Sequence, residues 1–339
     1  MLTIVIIYLW ASVSLYLVTG GADFGAGIVE LITPKKHSRQ VTDMLHKSTA
    51  PIWEANHMWL ILAIVILFVA FPVHYAEISS ALFIPLTIML LGIVARGTSY
   101  AFRNGDTMKD ELVVLDKIIY ITSSIITPFF MGVIGASIFS GRIHIKNGDF
   151  LHSYVYNWLD VFPLSIGLLT VVVCAYLAAV YVLGNENYGK ERLLIRPQAV
   201  FLTLAVPVAV VIAGLAANSE GQSLLAIVPK TPALIVIATI IILTAIVWIL
   251  INRQKPKWVR LYAAVSVLIV QFALFDSFYT SLKSYWLSPE NLPADGHSLK
   301  TIHDLAITLL IASVFILPSL GYLVYKFEWQ ERNKKKSRL

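Results

Sequence analysis

From Ala55 to Ala76 the chain runs for 22 consecutive residues without a formal charge. That is about what a single helix needs to cross the hydrocarbon core of a bilayer. The stretch before it, Pro51-Ile52-Trp53-Glu54, reads as the opening of that helix. Proline suits a first helical turn, where its missing N–H is not needed. Glu54 then stands beside the positive end of the helix dipole, and Trp53 and Trp59 suit a headgroup boundary. Glu54 and His57, three apart, share a helix face. A carboxylate is thus expected at the mouth of a membrane helix.

The rest of the chain repeats this pattern. It is 58% hydrophobic and only 14% charged, with a mean hydropathy of +0.76, where a soluble domain carries about 25% charged residues. Nine spans are predicted, at 2–32, 51–75, 78–102, 113–140, 161–184, 198–218, 232–252, 258–280 and 302–326. The fold class expected is all-α: a polytopic membrane protein of about nine transmembrane helices, arranged as two four-helix bundles and one peripheral helix. The corresponding divisions are 1–140, 141–280 and 281–339, the last holding the ninth helix and a basic tail. The first span is too long for one upright crossing at about 1.5 Å per residue, and Gly20-Gly21 is the expected place for a bend. Met1 to Trp10 has no basic residue, which predicts a retained helix rather than a cleaved leader.

With the N-terminus outside, the inner loops and the tail hold 20 Lys and Arg and the outer loops hold 5. That asymmetry places the C-terminus, with Lys334-Lys335-Lys336, in the cytoplasm. Cys174 is the single cysteine, so no disulfide or cysteine metal site is possible within the chain.

Charged groups within membrane spans are expensive and point to function. Asp23, Glu54 and Arg96 all fall in the inner third of their spans. Gly92, Arg96, Ser99 and Arg103 share one stripe of the third helix. Two readings stay open. Asp23 and Arg96 form a structural ion pair with Glu54 a plain helix-start acid, or the set Glu54, Asp23, Arg96, Ser99 and His57 lines a proton entry route. Gly21 and Gly25 read as a helix-packing face. Asp160 reads as a helix cap, and Asp276 as either a cavity-lining group or an interface residue. Of eight histidines only His57 lies within a span, so no intramembrane His pair stands ready to sandwich a haem iron, and no metal site is expected.

Three motifs carry a resemblance: Gly21-Ala22-Asp23-Phe24-Gly25-Ala26-Gly27; Trp53-Glu54-Ala55-Asn56-His57-Met58-Trp59-Leu60 with Phe68-Val69-Ala70-Phe71-Pro72; and Arg96-Gly97-Thr98-Ser99-Tyr100-Ala101-Phe102-Arg103. Together they resemble subunit II of the cytochrome bd-type quinol oxidases. The resemblance implies a multi-pass subunit of the bacterial plasma membrane, paired with a subunit I that holds haem b, haem d and the quinol site. A small third subunit is possible in such a complex. It further implies that Glu54 matches the carboxylate of the family's second-helix motif, that this chain lines a cytoplasmic proton path for reduction of O₂ to water, and that it is not catalytic alone. The alternative is a secondary transporter with an ion-coupled Asp23, Glu54 and Arg96 site.

Overall fold

The computed structural model describes residues 1–49, 53–103, 110–140, 143, 149–185, 189–219, 230–253, 255–285 and 296–336. The side chains of Glu54, Arg103 and Asp276, and with them the expectations placed on those residues, lie outside the described residues. The described residues are all-helical, with no strand among them.

The helices are α1 (Leu2–Leu15), a π-helical turn (Tyr16–Gly20), α2 (Gly21–Ile32), α3 (Ser38–Thr49), α4 (Trp53–Ala70), α5 (Pro72–Ala81), α6 (Phe83–Arg103), α7 (Asp110–Ser140), α8 (Phe150–Tyr154), α9 (Val161–Leu183), α10 (Arg196–Ser219), α11 (Lys230–Asn252), α12 (Pro256–Tyr285) and α13 (Gly296–Lys336). Among the described residues five helices are long and apolar enough to cross a membrane, and a sixth if the bent pair of α4 and α5 is one span. The segments Ala238–Asn252 and Trp258–Phe272 are shorter apolar helices.

Three features of the spans have local causes. The first span carries its irregularity next to Gly20-Gly21, where a bend was expected. It stays helical from Leu2 to Ile32 and takes up the irregularity as the π turn that ends at Gly20. A π turn displaces carbonyls from the regular ladder, and here two are met by side chains. Asn56 Nδ2 donates to the Thr19 carbonyl at 3.2 Å, and the Tyr181 hydroxyl donates to the Val18 carbonyl at 3.3 Å. The second span, expected to run through residue 75, stops at Ala70 and turns by 120° into α5. Phe71 leaves the α region, at φ −134 and ψ 57, because the ring of Pro72 disfavours that region for the residue before it. The last helix runs on through the basic tail to Lys336, as a sequence of Lys, Glu, Gln and Arg free of Gly and Pro after Gly321 favours.

Helix α9 is the hub. It packs on α2, α7 and α10, and also on α12. Its contact with α2 is made at glycine: a Cβ on Gly25 would collide with the backbone carbonyl of Cys174, and one on Gly21 would press on Cys174 Sγ at 3.1 Å. The predicted packing face of Gly21 and Gly25 is therefore the α2–α9 crossing. Close approach of backbones through small residues is what holds helices together where lipid removes the hydrophobic drive. The contact of α7 with α9 repeats the device, since a side chain on Gly167 would strike Phe129 and Val133. A second core joins Val5, Ile6 and Leu9 of α1 to Ala63 and Ile66 of α4 and to Ile302, Ala306 and Leu309 of α13. The π turn thus lies between two cores, and α2 delivers its polar residues to the first.

Candidate functional site

The site begins with Arg96, which is fully buried on α6. A guanidinium has no neutral form to fall back on in a protein, so the surrounding helices must supply its partners. α6 and α7 run antiparallel, which sets Gly92 against Thr127, Arg96 against Ser124 and Ser99 against Asp116. Arg96 Nη1 donates to Ser124 Oγ at 2.5 Å and to the Tyr120 carbonyl at 3.4 Å. Arg96 Nη2 donates to Asp23 Oδ1 at 3.1 Å and also to the backbone carbonyl of Asp23. The cation lies 3.8 Å from the centre of the Tyr120 ring, with Tyr100 and Phe24 at 5.2 and 5.8 Å. Desolvated cation–π contacts of this kind add to the hydrogen bonds.

Asp23 is buried on α2. Besides Arg96, its Oδ1 accepts from the Tyr100 hydroxyl. The glycines around it make room: a Cβ on Gly27 would run into Ser124, the residue that receives Arg96. The same small residues that allow α2 to approach α7 and α9 therefore bring the acid to the base.

Of the five residues singled out from the sequence, the structure joins Asp23 and Arg96 directly and His57 to them through the Phe24 ring. Asp23 and Arg96 are an ion pair. Ser99 is buried and donates from Oγ to Asp116 Oδ1 at 2.5 Å. His57, on the first turns of α4, lies among the rings of Trp53, Tyr16 and Phe24 at 5.7, 6.0 and 6.2 Å, and its Nδ1 is 3.4 Å from the Tyr16 hydroxyl. Glu54, the fifth, is at the start of the same helix. Its neighbour Trp53 stacks on Tyr100, with ring centroids 5.6 Å apart and planes inclined by 19°. The first turn of α4 is thereby fixed against the Asp23–Arg96 pair.

Sequence reasoning missed Tyr100, Thr49, Tyr120, Asp116 and Glu30. Tyr100 and Tyr120 read as ordinary interface aromatics, and nothing in the sequence says that both face Arg96. Asp116 and Glu30 were legible in principle, since both are acids inside predicted spans. Glu30 is buried and pairs with Lys117 at 3.4 Å, while Lys117 itself is exposed. Asp160 caps α9 as expected, accepting from the Val161 N–H at 2.8 Å.

Residues 1–327 match the model of the family described as cytochrome bd terminal oxidase subunit II. The cytochrome bd ubiquinol oxidase subunit 2 of Bacillus subtilis (strain 168) is 26% identical over 321 residues, covering 93% of this chain and 92% of that one. The cytochrome bd-I ubiquinol oxidase subunit 2 of Escherichia coli (strain K12) is 25% identical over 203 residues, covering 59% of this chain and 52% of that one. A chain of the solved bd oxidase from Geobacillus thermodenitrificans shares the fold, with a TM-score of 0.64 at 20% identity over 94% of this chain and 98% of that one. An intramembrane acid–base cluster carried by the three resembling motifs, and a family match running nearly the whole length, agree: the chain belongs to the cytochrome bd terminal oxidase subunit II family.

Proposed function

We propose that this chain supports the haem-bearing subunit I of a bd-type quinol oxidase and leads protons from the cytoplasm toward the place where the partner reduces O₂ to water. The observation that carries this reading is the buried Asp23–Arg96 pair, set against the opening turn of α4 that bears Glu54. Chains of carboxylates, hydroxyls and histidine at one depth are what membrane proton relays are made of. Glu54 is the entry carboxylate, with Asp23, Arg96, Ser99 and His57 behind it.

Haem b and haem d belong to the partner in this reading, and quinol is the substrate of the complex. The proposed assembly stands in the bacterial plasma membrane. The excess of Lys and Arg on one side supports an N-terminus outside and a C-terminus in the cytoplasm. The closed ring of contacts through α9, α10, α11 and α12 supports a second four-helix bundle within 141–280. By the same reading, 1–140 is the first bundle and 281–339 holds the outlying ninth helix. Family membership turns against the transporter alternative.

The test is Glu54→Gln in the purified complex, with haem content and quinol-driven O₂ consumption measured together. Assembly and haem content should hold while turnover per haem falls, by up to the roughly 10²–10⁴-fold worth of a general acid–base group. Glu54→Asp should keep much of the rate. Wild-type turnover in the Gln variant at every pH would remove Glu54 from the path.

A further inference from the structure

Tyr100 stands where four helices meet. Its hydroxyl donates to Asp23 on α2 and lies 2.8 Å from Thr49 Oγ1 at the end of α3. It also accepts from Arg96 Nη2 at 3.5 Å on its own helix, and its ring stacks on Trp53 of α4. Tyr100 and Thr49 are both buried. With the Tyr100 proton committed to Asp23, the lone pairs of its oxygen are left for Thr49 and Arg96. Thr49 is then the donor to Tyr100, and the Leu45 carbonyl at 3.1 Å is the second acceptor to which the Thr49 hydroxyl turns.

We infer that Thr49 and Tyr100 form a two-hydroxyl relay that passes protons between the C-terminal end of α3 and the Asp23 carboxylate. This rests on the proton-path reading above and supplies hydroxyl groups that lead to its buried acid. In one passage, a hydronium ion at the end of α3 gives its proton to Thr49 Oγ1. The proton already on Thr49 moves to the Tyr100 oxygen, and the proton already on Tyr100 moves to Asp23 Oδ1. At each hydroxyl one O–H bond forms and one breaks, so both end neutral. The charge change is confined to the donor and Asp23, and rotation of the two hydroxyls resets the relay.

An arginine beside a carboxylate ordinarily holds it as the anion. Here Arg96 has other support. With Asp23 neutral, the cation still donates to the Asp23 carbonyl, Ser124 Oγ and the Tyr120 carbonyl, and still lies over the Tyr120 ring. Those neutral oxygens and the ring keep the cation hydrogen-bonded while a proton passes over Asp23.

The experiment compares Tyr100→Phe, Thr49→Val, Thr49→Ser and Glu54→Gln in the purified complex with its haem-bearing partner, reading haem content, turnover per haem in H₂O and the ratio of turnover in H₂O to D₂O. Tyr100→Phe keeps the ring that stacks on Trp53 and faces Arg96 and removes only the oxygen. It should keep haem content, lower turnover by roughly tenfold or more, within the span of a lost proton-transfer group, and raise the isotope ratio. Thr49→Val should act in the same direction and Thr49→Ser should restore the rate. Wild-type turnover in Tyr100→Phe while Glu54→Gln is slow would overturn the relay and leave the proton path standing. Wild-type turnover in both would overturn the path itself. A slow Tyr100→Phe with an unchanged isotope ratio, and a Thr49→Ser no better than Thr49→Val, would make these residues structural and end the proposal. Should Tyr100→Phe fail to assemble, the Thr49 pair decides: full turnover in Thr49→Val overturns the relay, and loss with rescue by Ser supports it.

Discussion

Asp23 and Glu30 stand seven residues apart on α2, about two turns, and so on the same face. Both are buried, and each is paired with a cation from another helix: Asp23 with Arg96 of α6 at 3.1 Å, Glu30 with Lys117 of α7 at 3.4 Å. The cations differ. Arg96 is wholly enclosed, whereas the Lys117 side chain is 51% exposed. A buried pair owes its strength to the absence of water and is costly to break, because the survivor is left without compensation. A pair with one end in water is screened and adds little. The deep pair is tied into four helices and several aromatic rings, and the shallow pair joins two helices at the edge. The same helix face thus carries one ion pair that organises the core and one that trims its rim.

The comparison predicts a ranked series. The largest effect belongs to Arg96→Met, which strips Ser124, Asp23 and Tyr120 of their common donor and leaves a buried carboxylate. It should cost about 3–5 kcal/mol, read as a large fall in the thermal midpoint and in the yield of assembled, haem-bearing complex. An unchanged midpoint would mean that the deep pair does not organise the core. Asp23→Asn comes next, at about 1.5–3 kcal/mol, the range for hydrogen bonds to a charged group. Its effect is smaller because Arg96 keeps its neutral oxygens and ring faces. A loss as large as that of Arg96→Met would show that those neutral partners do not carry the cation. Lys117→Met should cost least of the three, about 1 kcal/mol, because the ammonium it removes is already half in water and water can take its place beside Glu30, with full assembly. A midpoint shift matching that of Asp23→Asn would erase the distinction between the two pairs.

The smallest effect lies at the fully solvated end of the series. Asp149 and His152, 2.6 Å apart, are both exposed. The Asp149 carboxyl is held below its ordinary value, chiefly by the His152 backbone N–H that donates to it at the start of α8. A lowered folded-state value stabilises the short helix above the ordinary carboxylate range, and that support is lost as pH falls through the lowered value. Amide exchange at His152, corrected for intrinsic rates, should therefore lose protection on acidification while the midpoint of the complex at neutral pH is the same in Asp149→Ala as in the wild type.

Much of this was legible in the residues. Apolar run length dictated the all-helical class, since lipid satisfies no backbone group. The intramembrane charges marked Asp23 and Arg96, and the glycine spacing marked the α2 packing face. Pro72 carried the signal for the turn after Ala70, but a proline inside an apolar run is also tolerated in membrane helices, so local sequence did not separate a broken helix from a continuous one. Tyr100 was in a recognised motif without any sign of its role. Its hydroxyl has meaning only because Asp23, 77 positions away in sequence, and Thr49, 51 positions away, converge on it.

By itself the sequence determined what each segment had to be: membrane-length helices from uncharged apolar runs, an α9 cap from Asp160, and the costly intramembrane charges of Asp23 and Arg96. Only the tertiary structure decided which of those charges met, how many neutral partners shared Arg96, and that the opening turn of α4 is stacked against the buried pair. Periodicity is a property of one helix, whereas partners across a crossing are set by how closely two backbones can approach. Here the missing side chains of Gly25 and Gly27 allow α2 to lie against α9 and α7, and that approach places the acid on the base.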